Sequence, residues 1–287
     1  MYSAPFEYYR ASSLAEAVEL LQAHPGAKLL AGGHSLLPQM KLRVSTPGAL
    51  VDIGRVKELA GIRLDGGTLT IGAMTTHHTL ATSAVVAEHC PILAEAAAQI
   101  GDQQVRNRGT IGGSLAHADP AGDLPSVIVA LGATLTATGQ NGSREITAEE
   151  FFKDLFTTDL GPDEVLTSVS VPAYGAGTGG AYFKHAHPAS GYAVVGVAAM
   201  VMVSGGKCTG TRLVVGGATA SPTRVLAAEE SLTGQAPDAE RVAAAAALVG
   251  PALQQTIGDH YASAEYRQHL AEVLARRALS RAAERAA

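Results

Sequence analysis

Ala31-Gly32-Gly33-His34-Ser35 and Thr110-Ile111-Gly112-Gly113-Ser114 are the two stretches on which the reading of this chain turns. The first follows the apolar run Lys28-Leu29-Leu30, a strand that opens into a glycine loop. The second has the same small-residue make-up much further along. Small residues leave backbone N–H groups uncovered by any Cβ, and consecutive uncovered amides form a concavity that suits an anion. Two such loops could close on the two phosphates of one dinucleotide. Taken singly, each pair also reads as an ordinary Gly-Gly turn. Their joint occurrence favours the ligand, as does Asp119-Pro120-Ala121-Gly122-Asp123 after the second pair. Asp123 opens an apolar helix over 123–131. There it either caps the helix or accepts a hydrogen bond from a ribityl or ribose hydroxyl.

Working outward, Ser13-Leu14-Ala15-Glu16 is a capping-box pattern ahead of Val18 and Leu21 at helical spacing. Val51-Asp52-Ile53 reads as a short strand. Asp65-Gly66-Gly67 between Ile62-Arg63-Leu64 and Thr68-Leu69-Thr70-Ile71 predicts a hairpin. Helices are expected over 79–83 and 91–100, the latter stopped by Gly101. Residues 133–138 and 164–171 are strand-rich, and Asn141-Gly142 marks a turn. The Pro/Gly-rich stretch 172–180 then divides the chain. Beyond it, strands over 181–187, 192–203 and 209–216 precede helices over 223–232, 239–249 and 264–284. The fold class is α+β: an N-terminal domain over 1–176, with subdomains of about 1–55 and 56–176, and a C-terminal domain over 177–287. That second domain is expected to be a three-stranded antiparallel sheet with three helices.

Composition narrows the function classes. Of 287 residues, 47% are hydrophobic and 16% charged, a globular balance. The net charge is −5, aromatics make up 5% and tryptophan is absent, which argues against nucleic acid as a partner. Cys90 and Cys208 are too few for an iron–sulfur cluster, which usually takes four thiolates. The start Met1-Tyr2-Ser3-Ala4-Pro5-Phe6-Glu7 shows no leader pattern, and the apolar run 193–203 is too short to span a bilayer. A soluble, cytoplasmic protein is expected.

Other motifs carry less. Gly175, Gly177 and Gly180 spell Gly-x-Gly-x-x-Gly, but strand-like Ala181-Tyr182-Phe183-Lys184-His185 follows, where a Rossmann loop needs a helix. His185 and His187 share one strand face, yet no third metal ligand is apparent, so no metal is expected. His77-His78 precedes a helix, and adjacent residues do not readily ligate one metal. No nucleophile elbow or close carboxylate pair presents itself, so no residue is assigned a catalytic role.

Two longer segments resemble a known family. Ala31-Gly32-Gly33-His34-Ser35-Leu36-Leu37-Pro38, followed by Met40-Lys41-Leu42-Arg43, is similar to the first flavin loop of the FAD subunits of molybdenum hydroxylases. Gln104-Val105-Arg106-Asn107-Arg108-Gly109-Thr110-Ile111-Gly112-Gly113-Ser114 is similar to the second. The resemblance covers essentially the whole chain. Within the family, the His-Ser-Leu-Leu-Pro version most resembles medium subunits of aerobic carbon monoxide dehydrogenases.

The resemblance implies a vanillyl-alcohol-oxidase (PCMH) type FAD-binding domain followed by a smaller C-terminal domain. It places residues 32–36, with Ala31 before them, and residues 111–115, with Thr110 and through Leu115, around the FAD pyrophosphate. It places Asp123 on the flavin's polar chain and Lys184 near the isoalloxazine ring. Tyr192 lies either against that ring or as a half-buried strand tyrosine. The implied function is electron transfer through FAD to an acceptor such as quinone. Molybdenum cofactor and [2Fe-2S] clusters belong to a large and a small partner subunit, in a dimer of heterotrimers peripheral at the inner face of the cell membrane. The alternatives are the FAD subunit of an aldehyde, xanthine or nicotinate type enzyme, or a flavin-free assembly module.

Overall fold

The computed structural model describes all 287 residues. Its N-terminal part begins with a three-stranded parallel sheet. Ala49–Asp52 lies in the middle, flanked by Glu7–Arg10 and Lys28–Leu30. Helix Leu14–Ala23 covers this sheet with Ala17, Val18 and Leu21, and the Ser13 hydroxyl accepts from Glu16 N as its cap. Ala31 to Ser35 leave the edge strand and lead directly into helix Leu36–Lys41. The edge strand Glu7–Arg10 and this helix are additions to the sequence expectation.

A five-stranded antiparallel sheet follows, in the order Ile62–Asp65, Thr68–Gly72, Val165–Pro172, Thr134–Gly139, Gly142–Thr147. The expected hairpin forms with Gly66 and Gly67 both at positive φ, which only glycine adopts at little cost. Between its strands the chain inserts short helices, including His77–Thr82, Pro91–Ala98 and Ile111–His117.

The C-terminal part is a four-stranded antiparallel sheet of Thr178–Ala186, Ala193–Ser204, Lys207–Gly216 and Thr223–Arg224. The expected count of three strands is corrected by the last, two residues long and read in the sequence as the start of a helix. The helices number four, because Val249–Ala252 forms a separate turn after Ala239–Ala247. Strand Thr178–Ala186 also reclaims the end of the expected linker.

Helix Ala264–Ala286 packs on the first two strands of this sheet. Its approach requires Gly179, between the motif glycines, while the close passage of Val203 requires Gly177. A Cβ on Gly179 would lie 2.0 Å from Ala282 O, and one on Gly177 would lie 2.2 Å from Val203 O. Those glycines serve backbone packing. The start of the helix is pinned by Arg267, buried, which donates to Val194 O and Gly217 O at 2.7 Å each.

Helix Asp123–Ala130 joins the two parts. All eight of its residues are buried, and it packs on Ala193–Ser204 and Lys207–Gly216. Leu124, Val127 and Ile128 share one cluster with Ile71 and Leu115 and with Tyr182, Ala198 and Val214 from the far side of residue 177. Each fully buried aliphatic side chain of this kind contributes roughly 1.5–3 kcal/mol. The core therefore crosses the Pro/Gly-rich stretch.

Candidate functional site

The two glycine stretches meet. A Cβ on Gly32 would lie 2.3 Å from Arg108 O and 2.7 Å from Gly109 Cα. One on Gly113 would lie 3.6 Å from Ala31 Cβ. Gly33 adopts φ +77°, which turns the chain from the strand toward helix Leu36–Lys41. Through that turn the N–H groups of Gly32, Gly33, His34, Ser35 and Leu36 donate to no acceptor within the chain. Five successive free amides on a partly exposed loop are a ready anion cradle. His34 Nδ1 turns back to Gly32 O at 3.0 Å, a contact within the loop.

The second stretch is built differently from the expectation. It is the first turn of helix Ile111–His117 rather than an open loop, and Thr110 caps it by accepting from Gly113 N at 3.1 Å. Ile111 N donates to Thr75 O, Gly112 N to Ala73 O and Ser114 N to Thr110 O. The amides expected to face a phosphate are thus spent on the protein. Ile111 and Leu115 have fully buried side chains in the core cluster, so neither side chain faces the loop. Gly112 is required because a Cβ would lie 2.4 Å from Ala73 Cβ. What remains toward the first loop is a small, open surface formed by Gly113 and the half-buried Ser114.

Asp123 does not cap its helix. Gly122 is the cap residue, and the Asp123 carboxylate turns inward, 6% exposed. Tyr182 OH donates to its Oδ1 at 2.7 Å, and Lys184 Nζ lies 3.0 Å from the same oxygen. Burial pushes the Asp123 pKa up, opposed by the Lys184 charge and the Tyr182 hydroxyl. Burial likewise pushes Tyr182 well above the usual tyrosine range, so its hydroxyl stays a donor. Lys184 also donates to Gln99 O at 2.8 Å and Gly191 O at 2.9 Å.

Tyr192 follows that Gly191 turn and is 42% exposed. Its hydroxyl lies near the Ser35 side chain of the first loop, and burial raises its pKa, with Asp119 and Asp123 adding to the effect. The C-terminal part therefore reaches back over the amide loop. His185 and His187 do not converge. The pairing shifts between His185 and Ala186, and their rings sit against Tyr266 and Tyr261 respectively. No group of three or more His, Cys, Asp or Glu side chains comes within metal-binding reach.

The sequence reading missed Tyr182 and Gln99, which touch the site only through the fold, and gave Arg108–Gly109, inside the second segment, no role of its own. A cavity of about 730 Å³, an open trough, lies elsewhere. It is bounded by residues 139–144 and 158–164, with Arg144 already paired to Asp159 and Glu164.

Residues 4–174 match the family model described as the FAD binding domain in molybdopterin dehydrogenase. This chain belongs to that family. Residues 181–282 match a second model, the CO dehydrogenase flavoprotein C-terminal domain. The carbon monoxide dehydrogenase medium chain of Hydrogenophaga pseudoflava is 41% identical over 283 residues, 98% of each chain. The 6-hydroxypseudooxynicotine dehydrogenase complex subunit alpha of Paenarthrobacter nicotinovorans is 40% identical over 98% of this chain and 95% of its own. Among solved structures, carbon monoxide dehydrogenase from Hydrogenophaga pseudoflava lacking the Mo-pyranopterin moiety superposes with a TM-score of 0.96. It is 43% identical and fully covered on both sides. As a family member, the chain is an FAD-binding oxidoreductase subunit of the molybdenum hydroxylase type. The five free amides and the Cβ-intolerant Gly32 fit the pyrophosphate of that cofactor.

Proposed function

We propose that this chain is the FAD-carrying electron-transfer subunit of a carbon monoxide dehydrogenase. When bound, FAD supplies reversible electron exchange, accepting from iron–sulfur clusters of a small partner subunit and passing electrons to an acceptor such as quinone. Carbon monoxide is oxidised to carbon dioxide on a molybdenum-bearing large subunit. The observation that carries the reading is the free amide run 32–36 closed against Arg108–Gly109. The 41% identity over nearly the full length of a carbon monoxide dehydrogenase medium chain supports the substrate.

In this reading residues 32–36 hold the pyrophosphate by backbone N–H groups, with Gly113 and Ser114 closing the other side. Tyr192 lies toward the ring and Asp123 toward the polar chain. Lys184 sets the position of both through its contacts with Asp123 and Gly191. The division into a flavin domain over 1–176 and a C-terminal domain over 177–287 belongs to the same proposal. It is supported by family matches that stop at residue 174 and resume at 181.

A second reading is the FAD subunit of a molybdenum hydroxylase acting on an N-heterocycle or aldehyde. It is favoured by the 40% identity to the 6-hydroxypseudooxynicotine enzyme subunit. The assembled complex separates the two. Purified from its native host with all subunits, it should reduce an artificial acceptor when supplied with carbon monoxide. A complex inert to carbon monoxide but active on an N-heterocycle or aldehyde overturns the substrate assignment. Absence of extractable FAD from that complex overturns the electron-transfer role.

A further inference from the structure

We propose that His77 is a positioning residue for the flavin site, backing the Arg108–Gly109 peptide against which the amide loop closes. His77 opens helix His77–Thr82 and is 5% exposed. Its backbone N–H donates to Gly109 O at 2.9 Å. Its ring lies on the other side of the same residue, where a Cβ on Gly109 would come 2.7 Å from His77 Cδ2 and 2.9 Å from Nε2. Gly109 Cα in turn is 2.7 Å from the position a Cβ on Gly32 would take. His77, Gly109 and Gly32 thus form a stack with no spare room, ending in the first of the free amides.

The ring is present for its bulk. Its Nδ1 is buried with no hydrogen-bond partner, so the side chain completes no polar network of the fold. Burial holds its pKa down at about 4, with Arg106 and His34 adding to the effect, and the ring is neutral at physiological pH. A neutral ring adds volume behind the loop without adding charge beside the phosphates. The pairing of Thr76 with Thr110 and the bond from Ile111 N to Thr75 O hold the two segments in register on either side. The ring thus limits how far the Arg108–Gly109 peptide can retreat from the amide loop.

This inference rests on the reading that loop 32–36 holds FAD, and the test separates the two. FAD affinity is measured by titrating the deflavinated full-length chain with the wild type, Gly109→Ala, His77→Ala, the double variant, His77→Gln and Gly32→Ala. Circular dichroism checks the fold of each. Gly109→Ala should weaken FAD binding by about tenfold or more, because its methyl meets the ring. Adding His77→Ala should recover about threefold or more of that loss, a coupling that two independent structural defects do not produce. His77→Gln, which keeps bulk at the position, should bind FAD more tightly than His77→Ala. A double variant no better than Gly109→Ala alone overturns the proposal, as does a Gly109→Ala chain with wild-type affinity. If Gly32→Ala also binds FAD normally, the placement of FAD on loop 32–36 fails. If only Gly32→Ala loses FAD, that placement stands and the role of His77 fails.

Discussion

Lys184 Nζ lies 3.0 Å from Asp123 Oδ1, and both side chains are 6% exposed. The pair joins the helix at the centre of the molecule to the first strand of the C-terminal sheet. An ammonium has three N–H groups, and Lys184 has three partners: this carboxylate, Gln99 O and Gly191 O. Its charge is therefore committed within the protein. Gly191 immediately precedes Tyr192 in the chain. The lysine holds the turn that aims the tyrosine.

Removing one member of such a pair leaves the other buried and uncompensated. Lys184→Met should cost about 3–5 kcal/mol in urea denaturation at neutral pH. Without the lysine only the Tyr182 hydroxyl offsets the burial of Asp123, and its pKa rises further. Asp123→Asn in the same chain should restore part of the loss, since the amide needs no counter-ion. A single-variant loss below about 1 kcal/mol would place the pair among surface-like ion pairs and refute the keystone role.

Two glycines that look alike in the sequence should behave oppositely. Gly32→Ala puts a methyl 2.3 Å from a backbone carbonyl, which cannot swing aside as a side-chain end can. It should abolish FAD retention through purification. Gly175→Ala, in the Gly-x-Gly-x-x-Gly run, meets nothing within 4 Å and should leave FAD content unchanged. The absorbance of the purified chains near the flavin bands decides this, and equal flavin content in both variants contradicts the assignment of the amide loop.

The contrast shows what the sequence could and could not reveal. The first loop was legible because a strand and two glycines follow one another locally, although helix Leu36–Lys41 after them was not read. The second stretch read as a loop because two glycines each disfavour a helix by roughly 1 kcal/mol. Thr110 capping and the fit of Gly112 against Ala73 override that preference, and Ala73 is distant in sequence. Asp123 read as a possible cap for the same reason. Its partners Tyr182 and Lys184 lie 59 and 61 positions away, beyond any local pattern. The strand Thr223–Arg224 is two residues long and exists only because its neighbour offers an edge.

Buried histidine also gives the chain a predictable acid response. His77 titrates at about 4 in the folded chain against 6.5 when exposed. Between those values the unfolded state binds a proton that the folded state refuses, so stability falls as pH falls from 6.5 toward 4. Below 4 this contribution levels off. At about 1.4 kcal/mol per unit its ceiling is roughly 3 kcal/mol. His117 is shifted down by burial as well and acts in the same direction. Subtracting the stability profile of His77→Gln from that of the wild type isolates the His77 part. A difference profile flat between pH 4 and 6.5 contradicts its burial in the neutral form.

Tyr192 provides the sharpest test of how the two halves meet at the flavin. It is 42% exposed, and its hydroxyl lies near the Ser35 side chain of the amide loop. If the exposed part of the ring is where the flavin packs, Tyr192→Phe keeps that contact and loses only the hydroxyl. Tyr192→Ala loses both. An aromatic contact of about 0.5–1.5 kcal/mol corresponds to a roughly 2- to 10-fold weaker FAD affinity for the alanine variant. Bound-flavin fluorescence should rise in Tyr192→Ala, because an aromatic quencher has been removed. Lys184→Met should weaken FAD by moving the same tyrosine, so the two changes combined should cost less than the sum of the separate losses. Strict additivity would mean that Lys184 reaches the cofactor by a route other than the Gly191 turn. Wild-type affinity and unchanged fluorescence in Tyr192→Ala would return Tyr192 to the standing of an ordinary half-buried strand residue.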